Sequence, residues 1–229
     1  MYSFEAIVNS LRRKAKDNTL EVEHLLGVAQ TGDPAFVAVI RSLQSEHSWS
    51  QEHVINERGI VPFGTWADVV CRYLEEGARG IVLLGTSPDT RSKYATFCLA
   101  LLEGIKTADS VAAVLQICGS LTECPESDLP LAIECASAFN RILSLKPSPV
   151  IPESLRSQVR NFLHKLIALN LSDSQRGLVI CGLRGVGDES SIALIRAGMP
   201  LAHPWSGMEK SAIKAIKRRL RASGRNPTK

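Results

Sequence analysis

Apolar residues return every three to four positions along almost the whole chain, and that spacing is the strongest limit on what the chain can fold into. An α-helix turns once per 3.6 residues, so the pattern gathers apolar side chains on one stripe. It predicts helices at 3–16, 20–31, 34–46, 65–77, 89–104, 107–121, 128–145, 152–169, 173–185, 188–198 and 206–222. The boundaries have local causes. Asp33 followed by Pro34 reads as an N-cap with proline in the first helical turn, and Thr107, Ser127, Ser172 and Asp188 read as further N-caps. Gly32, Gly187 and Gly198 are placed to end helices in the left-handed conformation. Pro125, Pro147, Pro149 and Pro152 forbid helix through their segments.

Composition agrees with a folded helical chain. Of 229 residues, 45% are hydrophobic, 22% charged and only 5% aromatic. A core of Leu, Ile, Val and Ala suits helix-on-helix packing better than a sheet sandwich. Most connections are short, which makes successive helices antiparallel. The expected fold is all-α: an irregular α-solenoid of antiparallel helical hairpins forming one repeat domain over 1–229, with a compact α-helical bundle as the alternative. Residues 47–64 form the expected irregular loop, a linker or partner loop. Ile81-Val82-Leu83-Leu84 has the local pattern of a strand, but no second strand pattern lies near it, so a short buried helix is expected.

Two stretches align without a gap. Gly32-Asp33-Pro34-Ala35-Phe36-Val37-Ala38-Val39-Ile40-Arg41 matches Gly187-Asp188-Glu189-Ser190-Ser191-Ile192-Ala193-Leu194-Ile195-Arg196. A third begins at Thr107, with Val111, Ala112 and Val114 at the same offsets. Asp33, Thr107 and Asp188 lie 74 and 81 residues apart, room for two repeats of about 37–40 residues in each interval. Upstream, Leu25-Leu26-Gly27-Val28-Ala29 matches Ile180-Cys181-Gly182-Leu183-Arg184. A capped second helix after a glycine turn explains the pattern: the aliphatic positions face the preceding helix, and the small alanine allows close packing there.

These residues resemble the HEAT-like (armadillo-type) helical repeat, in which a helix ending near Gly-Asp is followed by a second amphipathic helix. The resemblance is clear at 20–43 and 173–198 and partial at 89–121 and 128–169. It implies stacked hairpins whose second helices line one face, and it implies binding rather than catalysis. Arg41 and Arg196, at equivalent positions, become candidate partner contacts.

No spacing for catalysis or for a cofactor is present: no phosphate loop ending in Lys-Ser/Thr, no His-Glu-x-x-His, and glycines at 182, 185 and 187 that do not fit a dinucleotide fingerprint. The expectation is a protein that is not an enzyme, with no cofactor and no metal site. Cys71, Cys98, Cys118, Cys124, Cys135 and Cys181 form no C-x-x-C pair and read as small buried residues of a reducing compartment. His47 and His53, with Glu46, Glu52 and Glu57 near them, read as a solvated polar loop. No apolar run of about 18 residues occurs and no signal peptide is visible, so the expected setting is cytoplasmic, away from membranes.

Charge is unevenly placed. From His203 onward there are eight basic residues and one acidic one, whereas the first 202 residues carry 19 basic and 22 acidic side chains. Lys210, Lys214, Lys217, Arg218 and Arg221 fall on one face of a basic terminal helix and tail, 206–229, opposite Ala212, Ile213, Ile216 and Leu220. Such a face suits a solubilising end repeat, nucleic-acid phosphates or an acidic protein. Glu123, Glu126 and Asp128, with Glu134 beyond, could meet a basic partner or favour the next helix's N-terminus. The leading expectation is a protein-binding helical-repeat module, one form of which is an immunity-type inhibitor that sequesters a bacterial toxin. The alternatives are a general adaptor or assembly factor, and a nucleic-acid-binding HEAT-like protein or DNA glycosylase using the basic helix.

Overall fold

The computed structural model describes residues 3–17, 19–46, 53–56, 59–119 and 128–224. Its helices are α1 (Phe4–Lys16), α2 (Val22–Thr31), α3 (Phe36–Glu46), α4 (Phe63–Thr86), α5 (Pro88–Ile105), α6 (Ala108–Gly119), α7 (Leu129–Ser144), α8 (Glu153–Ile167), α9 (Asp173–Gly182), α10 (Glu189–Ala197) and α11 (Gly207–Ala222). Each of the helices expected from periodicity is among them, so the all-helical class stands. Two departures are local. The stretch expected as an irregular loop contains a short antiparallel hairpin, β1 (His53–Asn56) with β2 (Gly59–Pro62), in the register His53 opposite Pro62 and Asn56 opposite Gly59. And α4 does not stop at residue 77. Gly77 takes φ 63°, ψ −153°, open to glycine at little cost, and the chain resumes helix through Ile81–Leu84. That segment is helical as expected, but only Ile81 is fully buried and Leu83 stands exposed.

The chain forms two compact units, Met1–Ile105 and Lys106–Lys229. In the first, Leu11 of α1, Leu25 and Val28 of α2, and Phe36 and Ile40 of α3 are buried, as are Trp66 of α4 and Leu101 of α5. Trp66 meets Phe97 edge-on, with ring centroids 5.7 Å apart. α4 and α5 make the most extensive contact of this unit. In the second, α7 and α9 form the tightest seam. Glycine makes that seam possible: a Cβ on Gly182 would lie 3.0 Å from the Ala136 carbonyl oxygen, and one on Gly185 only 2.5 Å from Leu143 Cβ. Phe139, Val159, Leu163, Leu183 and Ile216 fill the core around it. Each such side chain contributes about 1.5–3 kcal/mol through its removal from water.

Several caps form as expected. Thr107 Oγ1 accepts the Ser110 N–H at 3.0 Å, Ser172 Oγ accepts the Gln175 N–H at 3.4 Å, and Asp188 Oδ1 accepts the Ser191 N–H at 3.1 Å. Ser127 lies outside the described residues, and Asp128 stands as the N-cap residue of α7 without a capping bond from its side chain. The expected left-handed glycines need correction. Gly32 adopts φ 66° at the end of α2, but Gly198 is extended and Gly187 has no positive φ. Gly187 instead continues helical bonding, its N–H donating to Leu183 O at 2.7 Å.

Candidate functional site

Along the second helices the Gly-Asp match in the sequence is largely a match in burial, although Gly187 and Ile192 are buried where Gly32 is exposed and Val37 half-buried. Counting from Asp33 and Asp188, Phe36 and Ser191 are buried, Ala38 and Ala193 exposed, Ile40 and Ile195 buried, and Arg41 and Arg196 exposed. α3 lies against α1 and α4; α10 lies against α8 and α11. In both cases the second helix of the pair meets the helix two places before it and the one after it. The alanine expected at a close helix contact therefore faces outward. Ala38 stands two residues after Phe36 and two before Ile40, about 200° of helical rotation from each, and so opposite the buried stripe.

The two arginines differ in what holds them. Arg41 Nη1 donates to Asp68 Oδ1 and to Gln44 Oε1, both at 2.8 Å. Asp68 Oδ2 also accepts the Tyr94 hydroxyl at 3.0 Å, and Lys93 Nζ donates to that hydroxyl at 2.8 Å. This exposed cluster ties α3, α4 and α5 together. Arg196 has no side-chain partner among the described residues.

A polar cluster in the second unit was not anticipated. Three arginines hold three consecutive backbone carbonyls at the end of α9: Arg156 Nη1 donates to Gly185 O at 3.0 Å, Arg160 Nη1 to Val186 O at 3.0 Å, and Arg219 Nη2 to Gly187 O. These carbonyls follow the end of α9, where the helix dipole is negative, so the cations are well placed. Arg160 Nε also pairs with Asp188 Oδ2 at 3.1 Å, and Arg156 Nε with Glu153 Oε2 at 3.3 Å. Burial lowers the pKa of Arg219, and the neighbouring Arg156 and Arg160 add to the effect. The signal was present in the sequence: Glu153, Arg156, Arg160 and His164 are spaced to share one face of α8, and Arg219 sits beside the buried Ile216 and Leu220 rather than on the basic face of α11.

Below this cluster His164 Nε2 lies 2.7 Å from Ser191 Oγ, which itself contacts Asp188 Oδ1 at 3.3 Å. Serine, histidine and aspartate thus meet, but not as a nucleophilic triad. Asp188 contacts the serine instead of orienting the imidazole, and Ser191 is fully buried. The group serves as a capping box for α10. Burial lowers the His164 pKa, so the neutral ring is favoured. The described cysteines, Cys71, Cys98, Cys118, Cys135 and Cys181, are buried and form no disulfide with one another. Burial pushes the Cys71 thiol up to about 11 and the Cys98 thiol up to about 12, which makes them poor nucleophiles. Among the described residues no group of His, Cys, Asp or Glu is arranged to hold a metal ion, and no helix is long and apolar enough to cross a membrane.

In the first unit an open cleft of about 600 Å³ lies between α1 and α2. Its floor is Leu11, Val28 and the bare backbone of Gly27, and its rim carries Ser10, Arg13, Glu23 and His24. The rim has both signs of charge, and His24 Nδ1 already accepts the Glu21 N–H at 3.0 Å.

On α11 the expected division is present. Ala212, Ile216 and Leu220 are buried and Ile213 half-buried; Lys210, Lys214, Arg218 and Arg221 are exposed and Lys217 half-buried. Glu123 and Glu126 lie outside the described residues, and Asp128 is half-buried at the start of α7. Comparison with protein-family models, curated proteins and solved structures finds no match to this chain.

Proposed function

We propose that this chain is a non-catalytic helical-repeat module of HEAT-like type that binds a protein partner. One observation carries the reading: the α2–α3 and α9–α10 segments share a sequence signature, and their second helices, α3 and α10, leave the same positions outward, Ala38 with Arg41 and Ala193 with Arg196. Repeat arrays use such recurring outward strips of their second helices as contact surfaces. The chemistry of the densest polar cluster supports binding over catalysis, because its arginines are spent on backbone carbonyls and its serine on a helix cap.

The test is affinity capture from native lysate with the full chain and with Ala193→Glu combined with Arg196→Glu. Both positions are exposed, so the variant keeps its fold by circular dichroism. The reading expects one stoichiometric protein that the variant fails to retain. Capture of no stoichiometric protein, or capture unchanged by the double variant, overturns it.

A further inference from the structure

The acid that could neutralise α11 is turned away from its outer face. Glu209, the one acidic residue from His203 onward, points to Arg176, with Oε1 3.6 Å from Nη2 and a side chain only 18% exposed. Arg219 is likewise turned inward, onto Gly187 O. What remains outside is Lys210, Lys214, Lys217, Arg218 and Arg221, and among the described residues none of the five pairs with a carboxylate. At about 1.5 Å per residue the span from Lys210 to Arg221 makes a cationic ridge roughly 16 Å long. Its cations sit three and four residues apart, where like charges repel by a few tenths of a kcal/mol per pair.

We propose that this ridge binds the sugar–phosphate backbone of a nucleic acid. Three polyanionic surfaces could meet it, and the structure separates them. A membrane-surface helix buries its apolar face in lipid, but Ala212, Ile216 and Leu220 are buried in the protein core. A protein interface takes most of its energy from a few desolvated anchors, Trp, Tyr and Arg above all, set among apolar neighbours; α11 carries no aromatic residue, and none of the exposed large apolar side chains, Phe4, Leu83, Leu145, Val150, Leu169 and Met199, lies on it to surround its arginines. Backbone binding to nucleic acid needs no anchor, because neutralised phosphates release counterions and supply the affinity. A duplex carries one charge per about 1.7 Å of axis, so the ridge spans more phosphates than it has cations to neutralise.

Fluorescence anisotropy of the full chain with a labelled duplex of about 20 base pairs, and with a labelled RNA single strand of about 20 nucleotides, tests this across a salt series. With five phosphates neutralised, log affinity should fall against log salt with a slope of about −4.5 on the duplex and about −3.5 on the single strand. Lys214→Glu with Arg218→Glu should weaken binding at least about tenfold at low salt and flatten the slope by about 2, whereas Lys214→Arg with Arg218→Lys should bind as the parent does. If the reversal unfolds α11, Lys210→Gln with Lys214→Gln gives the same flattening of about 2. No binding at low salt, or binding that survives the charge reversal, overturns the proposal. So does equal affinity for polyglutamate, which assigns the ridge to an acidic protein, or for phosphatidylserine vesicles, which assigns it to a membrane surface. The ridge shares no residue with the Ala193 and Arg196 strip, so either result leaves the protein-capture test standing.

Discussion

The α2–α3 and α9–α10 segments spell nearly the same motif, and their second helices share most of their burial pattern, yet the segments are fastened in different ways. In the first, Gly32 is used for its backbone: it turns left-handed at φ 66°, and a Cβ there would meet nothing within 4 Å. Asp33 makes one side-chain bond, accepting the Ala35 N–H at 2.9 Å. In the second, Gly187 is used for its missing side chain: a Cβ would lie 2.7 Å from Ile216 Cδ1 and 2.8 Å from Leu183 O. Asp188 accepts from Ser190 Oγ, from the Ser191 N–H and from Arg160. Upstream, Gly27 faces open space while Gly182 packs on α7. A shared motif therefore carries the outward and inward faces of the second helix from one segment to the other. It does not transfer tolerance to substitution.

The sharpest way to break that contrast is asparagine at both glycines. Asparagine accepts the left-handed region better than other side chains, so Gly32→Asn should cost under about 1 kcal/mol. Gly187→Asn must displace both Ile216 and a backbone carbonyl, and should cost about 3 kcal/mol. Urea unfolding followed by circular dichroism measures both; equal losses would mean that the two glycines do one job. The aspartates come next. Asp188→Ala removes a cap and one of the partners of Arg160, for a loss of about 2 kcal/mol, whereas Asp33→Ala should cost about 0.5–1 kcal/mol. A cycle of Asp188→Ala with Arg160→Ala should show coupling above about 0.5 kcal/mol.

Acid should separate the two segments further. Burial holds the His164 pKa below the ordinary 6.5, and the charge of Arg160 reinforces this while Asp188 opposes it. The folded chain thus prefers neutral imidazole. Its contribution is complete above pH 6.5 and is lost as pH falls through that value toward the lower folded pKa. Burial pushes Asp188 up, but the bonds from Ser190 and Ser191 and the Arg160 charge outweigh it, leaving its pKa below 3.8. Its contribution is complete above pH 3.8 and is lost below it. The urea midpoint should fall between about pH 7.5 and pH 5.5, and His164→Gln should remove that step while leaving the drop below pH 3.8 in place. A parent protein whose midpoint is flat from about pH 7.5 to 5.5 would show that His164 is not held neutral.

Local rules made much of this molecule legible. Periodicity located the helices, and the caps at Thr107, Ser172 and Asp188 form where short-range chemistry places them. The division of α11 into a buried and a basic face also followed from spacing alone. What stayed hidden depends on contacts between distant segments. Gly32 and Gly187 look identical in sequence because the approach of Ile216, nearly thirty residues on, leaves no local mark. The hairpin of β1 and β2 has strands of four residues each, too short for alternation to stand out, and its pairing is a relation between two segments. The arginine cluster was legible in part. The face shared by Arg156 and Arg160 could be read, but their carbonyl partners belong to a turn that only tertiary folding delivers.

The smallest effect bears most directly on binding. Arg41 and Arg196 occupy equivalent outward positions, but Arg41 is engaged with Asp68 while its side chain remains 47% exposed. An exposed pair of this kind contributes about 0.2–1 kcal/mol and is screened by salt. Arg41→Ala should therefore cost about 0.5 kcal/mol at low ionic strength, with the loss fading near 1 M salt, and Arg196→Ala should change stability by less than about 0.3 kcal/mol. A partner that engaged Arg41 would first have to give up the Asp68 pair, whereas Arg196 has no such tie among the described residues. Partner capture should consequently weaken more for Arg196→Ala than for Arg41→Ala, the reverse of their order in stability. If Arg41→Ala weakened capture more, the Asp68 pair would not be what withholds Arg41 from the partner.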